Sequence, residues 1–161
     1  MAMLIENMVC RICGQPIKQN DAVRGFGPFV SNESDPLRFF DDSVFHEHCL
    51  LEHPLGHSAI SRYAAVRKQR DEARICAICH LPITNEQILK YNDFLPLDYL
   101  TDNQNSRLAR YNLARFHKSC LRGSAQASDL RKALEEGLVS GTWSGKAWSR
   151  LLHEVRELET R

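Results

Sequence analysis

Six cysteines and two of the seven histidines fall into a pattern that can hold metal. Cys10 to Ile17 reads C-x-I-C-x-x-P-I, and so does Cys76 to Ile83. Phe45 to Leu50 reads F-H-x-x-C-L, and so does Phe116 to Leu121. An aromatic residue stands six positions before each histidine, Phe40 before His46 and Tyr111 before His117, and is followed by Asp41 in one copy and Asn112 in the other. Two matches in the same order, with no cysteine left over, mark an internal duplication. Each copy offers three thiolates and one imidazole. The first set is Cys10, Cys13, His46 and Cys49, and the second is Cys76, Cys79, His117 and Cys120. Three sulfurs and a nitrogen are the ligand set of a closed tetrahedral structural zinc site, which predicts two structural Zn2+ ions per chain. Four protein ligands leave no open position for water, so Lewis-acid catalysis is disfavoured.

Other chemistries fit these residues less well. A disulfide scaffold gives His46 and His117 no role. Cys76 to His80 matches the covalent haem pattern C-x-x-C-H, but its twin at Cys10 has Gly14 in place of the histidine. An iron–sulfur cluster is less natural with three cysteines and one histidine per copy. There is no P-loop, no G-x-S-x-G, no dinucleotide fingerprint and no H-E-x-x-H, although the run from His46 to His53 superficially resembles the last. His48, His53, His57, His80 and His153 are left as spare histidines, with His48 and His53 read as surface or capping residues. No catalytic residues are assigned, and the enzyme question leans to no.

These segments resemble the treble-clef zinc fingers, a broad group that includes LIM and RING domains. In that group a C-x-x-C knuckle leads into a β-hairpin and then into a helix whose first turn carries the second ligand pair. The F-H-x-x-C-L stretches are similar to the corresponding part of a LIM domain's first zinc site. The departures are in length: 32 residues separate the ligand pairs in the first copy, 37 in the second, and 26 residues separate the copies. A RING domain interleaves its ligand pairs. Duplication favours sequential ligation instead, because each copy must once have held its own metal.

The elements that position the ligands follow from the pattern between them. A knuckle loop supplies each C-x-x-C, and H-x-x-C places its ligands at i and i+3 on one face of a helical turn. In the first copy, residues 21–30 and 37–45 read as a β-pair around the polar loop 31–36. In the second, residues 88–91 and 108–116 read as the pair, around the loop 101–106. These long hairpins are expected to be where the copies differ most and to carry recognition. Ser58 is expected to cap a helix running to about Arg74 with Ile60, Tyr63 and Ala64 inward. Ser128 is expected to cap a second, with Leu130, Ala133, Leu134 and Leu138 apolar and Gly137 near its end. A third begins near Ser144 and carries Trp148, Leu151, Leu152, Val155 and Leu158 on one face.

The expected fold is therefore α+β: two tandem treble-clef-like zinc modules, each a knuckle, a β-hairpin and a short helix, packed together with three longer helices. The modules are placed at 1–57 and 76–123, with a linking helix at 58–75 and a C-terminal helical segment at 124–161. The composition, 43% apolar and 25% charged, is that of a folded protein. No apolar run approaches a membrane span and Met1 to Cys10 lacks an export signature, which leads to the expectation of a cytoplasmic protein with no membrane partner. A net charge of +1 argues against coating nucleic acid by bulk charge. Residues 58–75 nevertheless carry five basic against two acidic groups, and Arg67, Arg70 and Arg74 at i, i+3 and i+7 offer a phosphate-facing edge. The leading functional expectation is a zinc-stabilised protein-interaction module, adaptor or regulatory, that works through its hairpin loops. A nucleic-acid-binding zinc finger and a RING-like ubiquitin-ligase scaffold are the alternatives.

Overall fold

The computed structural model describes residues 8–72 and 74–160. Part of the stretch considered for an export signal, residues 1–7, lies outside them, as does residue 73 within the expected linking helix.

The two copies fold alike, and the likeness begins at the knuckle. Val9 bridges Pro16, the Cys10 amide donates to Gln15 O at 2.9 Å, and the Gly14 amide donates to Cys10 O at 2.7 Å. In the second copy Ile75 bridges Pro82, the Cys76 amide donates to Leu81 O at 3.0 Å, and the His80 amide donates to Cys76 O at 3.0 Å. The residue after each second cysteine closes the turn in the left-handed region, at φ 70° for Gly14 and 58° for His80. His80 is thus the residue that takes glycine's place in the turn, and no haem chemistry is needed to account for it.

Strand β1 (Val23–Phe26) pairs antiparallel with β2 (Ser43–His46), Arg24 opposite Phe45. The helix α1 (Glu47–Glu52) starts directly after His46, and α2 (Gly56–Asp71) follows. The second copy first inserts the short helix α3 (Asn85–Leu89) and then pairs β3 (Leu95–Pro96) with β4 (Arg115–Phe116), Leu95 opposite Phe116. Helices α4 (Lys118–Leu121) and α5 (Ala125–Val139) then repeat α1 and α2. Helix α6 (Lys146–Thr160) has no counterpart in the first copy among the described residues.

The hairpins differ from the expected ones. Residues 37–40 and 108–111 are not strand but 3-10 helix, Pro36–Phe40 and Arg107–Tyr111. Asp35 and Ser106 cap them by accepting from the amides of Leu37 (2.8 Å) and Leu108 (3.2 Å), and Pro36 presets the first turn. Residues 88 and 89 end α3, and the strand lies further on, at Leu95. Thr84 and Gln87 form a capping box that nucleates α3, a local signal stronger than the β-propensity of Ile88 and Tyr91.

The two long connections are also more alike than expected. Asp41 Oδ1 accepts from the amides of Phe29 (2.6 Å) and Val30 (2.8 Å), and Asn112 Oδ1 accepts from those of Leu100 (2.7 Å) and Thr101 (3.0 Å). The next residues, Asp42 and Leu113, turn the chain at positive φ into the second strand. With Arg24 and Leu95 in equivalent register, the five extra residues of copy two fall between knuckle and strand, where they build α3.

Helix α2 starts two residues before Ser58 because Gly56 lets the chain pass under α1: a Cβ there would sit 1.8 Å from Leu50 O. Its buried residues are Ala59, Arg62 and Val66, while Ile60 and Tyr63 are half-buried and Ala64 is exposed. The cap of α5 is Ser124, not Ser128. Leu130, Ala133 and Leu134 are buried as expected, but Leu138 is exposed. Trp148, Leu152, Val155 and Leu158 of α6 are buried, with Leu151 packed beside them.

Two cores result. The first gathers Phe26, Phe29, Phe40, Phe45 and Leu50 against Ala59 and Val66 of α2; the second gathers Leu108, Phe116, Leu121, Leu130, Trp143 and Trp148. Tyr99 and Leu113 of the second copy pack on the first core. At the seam the buried Arg62 pairs with Asp35 on one side and Asp102 on the other, its guanidinium 4.8 Å from the centre of the Tyr99 ring. Ser31 donates to Asp98, Asn32 Nδ2 to Thr142 O (2.8 Å) and the Glu33 amide to Ser144 O (3.2 Å). The loops expected to face a partner therefore hold the two copies and the turn before α6 together.

Candidate metal centres

The structure brings together the four residues of each set and does not mix the sets. The ligand atoms of Cys10, Cys13, His46 and Cys49 all lie within 4.8 Å of one another, as do those of Cys76, Cys79, His117 and Cys120. The knuckle carries the first pair of each set, the last residue before the helix carries the histidine, and the helix's first turn carries the last cysteine. His46 and His117 are the N-caps of α1 and α4 but make no side-chain capping bond, because their rings turn to the sulfurs.

The geometry fits a metal. A tetrahedron with Zn–S of about 2.3 Å and Zn–N of about 2.0 Å has sulfur–nitrogen edges of about 3.5 Å. Nδ1 of His46 lies 3.4 Å from Cys13 Sγ and 3.9 Å from Cys49 Sγ. Nδ1 of His117 lies 3.4 Å from Cys79 Sγ and 3.7 Å from Cys120 Sγ. The amides of His46 and His117 donate to the innermost sulfurs, Cys10 and Cys76, each at 3.4 Å. Burial pushes those two thiols up, but amides from the knuckle and from the histidine outweigh it and hold both at about 6. Burial and the neighbouring sulfurs instead push Cys49 up to about 11 and Cys120 up to about 12. Each set thus pairs a thiol that readily carries charge with one that burial and its neighbours keep from doing so, and a divalent cation offsets the second.

The outer nitrogen of each histidine also has a partner, which sequence reasoning missed. His46 Nε2 lies 3.3 Å from Asp21 Oδ2, an oxygen already fixed by the Lys18 amide at 2.7 Å. That amide, opposed by burial and then helped by His46, holds the Asp21 carboxyl below its ordinary value. His117 Nε2 lies 3.3 Å from Gln87 Oε1, which also accepts from the Thr84 amide at 2.8 Å. Such partners orient the imidazole and raise its basicity. The T-x-x-Q capping box was the one signal that could have located Gln87; nothing local marks Asp21. His48, read as a surface residue, places Nε2 3.2 Å from Cys49 Sγ and stacks on the His46 ring. His53 stacks on Phe39 and accepts from the Leu55 amide at 3.1 Å, as a capping residue does.

The arginine edge does not form as expected. Helix α2 ends at Asp71, so Arg74 lies beyond it; Arg70 donates to Pro28 O (3.0 Å) and Arg74 to Asn85 Oδ1 (2.9 Å). No helix among the described residues is long and apolar enough to cross a membrane. The chain matches no protein-family model, and no curated protein or solved structure is significantly similar to it. What the chain itself shows is a mixed helix-and-sheet body with two Cys3His clusters at metal-binding distance, which suggest zinc-binding modules.

Proposed function

We propose that this chain is a zinc-stabilised protein-interaction module. The eight residues Cys10, Cys13, His46, Cys49, Cys76, Cys79, His117 and Cys120 hold two structural Zn2+ ions in closed sites. The treble-clef reading is supported by the order knuckle, hairpin and ligand-bearing helix, which both copies repeat. A RING-like scaffold is not favoured, because the ligand sets are sequential and not interleaved.

The observation that carries the interaction role is where apolar surface remains. Of the exposed large apolar residues, Val9 and Leu51 lie in the first copy and Leu138 and Val139 end α5, whereas four, Ile75, Leu81, Leu89 and Tyr91, fall between the second knuckle and the α3 segment that only copy two possesses. The hairpin loops, by contrast, face one another. A protein partner is therefore assigned to the α3 side of the second module. Apolar side chains left exposed along one segment in this way are what an association surface would use.

Two measurements test the reading. Protein purified without added metal is expected to contain two equivalents of zinc, and a strong chelator is expected to lower the melting transition, since structural zinc contributes on the order of 10 kcal/mol or more to folding. A melting transition unmoved after both metals are removed refutes the zinc role. A purified stoichiometric partner is expected to lose its binding to Leu89→Asp and Tyr91→Asp variants that keep their zinc. Undiminished binding refutes the assigned surface.

A further inference from the structure

A cleft of about 360 Å³ runs between α2 and the second module, away from both metal centres' ligands. Three guanidinium groups, Arg70, Arg74 and Arg115, line it, against a single carboxylate, Asp98. Asp98 is already engaged by the Ser31 hydroxyl. The hydrogen bonds of Arg70 and Arg74 go to neutral oxygens, those of Pro28 and Asn85, and neither group has an ion pair among the described residues. Arg115 is buried and holds the carbonyls of Gln69 and Glu72 at the end of α2, which fixes the cleft wall. Its burial and the nearby charge of Arg74 push Arg115 below its ordinary value, partly offset by Glu72. Two opposing side chains complete the cleft: Phe94, over which Arg74 lies at 6.0 Å, and the half-buried Leu113.

From this geometry we propose that the cleft binds one nucleotide unit of a single-stranded nucleic acid, its phosphate between Arg70 and Arg74 and its base against Phe94. Guanidinium groups pair with phosphate in a fork and an aromatic face accepts any base, so the site is sequence-tolerant. The volume admits a unit of nucleotide size. A polymer is favoured over a single phosphorylated side chain because the cleft's arginines come from two basic stretches, residues 58–75 with five basic and two acidic groups and residues 107–122 with five basic and none acidic. Further phosphates of a polymer find that charge, whereas one phosphorylated residue does not. This site is independent of the protein-interaction surface at α3, and either reading stands if the other fails.

The test is fluorescence anisotropy of labelled 12-nucleotide single strands, DNA and RNA, titrated with the zinc-loaded full chain at several salt concentrations. Wild-type protein is expected to bind with affinity that falls as salt rises. Arg70→Gln and Arg74→Gln are each expected to weaken binding roughly tenfold and to reduce the salt slope by about 1. Phe94→Ala is expected to weaken it about fivefold or more with the slope unchanged. Arg67→Gln, on α2 but outside the cleft, is expected to change affinity less than about threefold, as for a charge that acts on further phosphates only through screening solvent. Absence of binding at 50 mM salt overturns the proposal, as does binding that the three cleft variants leave intact. Tight binding of a phosphotyrosine peptide that the oligonucleotide does not displace also overturns it. If a variant loses its zinc or its melting transition, photo-crosslinking of a 5-bromouridine strand to the unmodified chain decides. Adducts on the Phe94 peptide support the site, and adducts only elsewhere refute it.

Discussion

The Asp41 carboxylate closes the long connection of the first copy, and the second copy shows what should replace it. Its side chain is 8% exposed, and Oδ1 takes the amides of Phe29 and Val30, both buried. Asp41→Ala leaves two buried amides without an acceptor. At roughly 1–3 kcal/mol each, and little more for the half-exposed partner Arg38, the loss is about 3 kcal/mol. For a chain of this size each kcal/mol lowers Tm by roughly 2–4 °C, so the transition should fall by roughly 6–12 °C. Asp41→Asn should cost under about 1 kcal/mol. Its Oδ1 keeps both amides, and its Nδ2 can donate to Val30 O as Asn112 Nδ2 donates to Thr101 O at 2.8 Å. The reverse change is not symmetrical. Asn112→Asp sets a carboxylate oxygen against Thr101 O, and where the first copy has Arg38 to neutralise it, the second has Ala109. That variant should cost about 2 kcal/mol, and Ala109→Arg should recover part of it. Thermal unfolding of the zinc-loaded variants measures all four. If Asp41→Asn is as damaging as Asp41→Ala, or Asn112→Asp is neutral, the clamp does not work by accepting these amides.

Two further outcomes follow from the histidine partners and from the seam. Asp21→Ala should weaken metal at the first site by roughly 10–100-fold in chelator competition while leaving the second unchanged, and Gln87→Ala should do the converse; equal effects on both sites would refute separate orientation of the two imidazoles. Arg62→Met should lower stability by about 2–3 kcal/mol, because it strands the partly buried Asp35, while the exposed Asp102 adds little. Arg62→Lys should recover only part of this, since one ammonium cannot fork to both carboxylates; a melt of Arg62→Met at or above the wild-type temperature would show that the pair contributes no net stability.

The two Cys3His clusters were legible in the sequence because a metal site calls for particular atoms, and the duplication repeats those residue types in the same order. The helices were legible wherever an apolar stripe ran long enough, as in Leu130 to Leu134 and Trp148 to Leu158. Their starts were not. Ser58 and Ser128 are sound caps by residue type, yet Gly56 and Ser124 set the starts, through a close approach to Leu50 in one case and a side-chain bond to Ala127 in the other. The hairpins were misread for a related reason. Residues 37–45 have the apolar and aromatic content of a strand, but the cap at Asp35 and the acceptor at Asp41 bend the chain into a 3-10 turn. Side-chain-to-backbone bonds of this kind compete with strand pairing, and residue averages do not register them.

The seam was invisible for a different reason: it is made of distant pairs. Arg62 meets Asp35 and Asp102, 27 and 40 residues away, and no local pattern announces either. The repeat nevertheless explains why such a seam exists. Asp35 lies in the long connection of the first copy and Asp102 in that of the second, so the two duplicated loops end on opposite sides of one arginine. Only the first copy's long helix lies between the modules to supply it, since the equivalent helix α5 packs instead against α6. A duplication therefore left two copies of one scaffold in unlike surroundings. The parts that shape each scaffold kept one role with different residues, Asp41 and Asn112 as backbone clamps and Gly14 and His80 as the turn after the knuckle. The parts that meet the other copy, or meet solvent as α3 does, diverged. Function specific to this chain is to be sought in the second group.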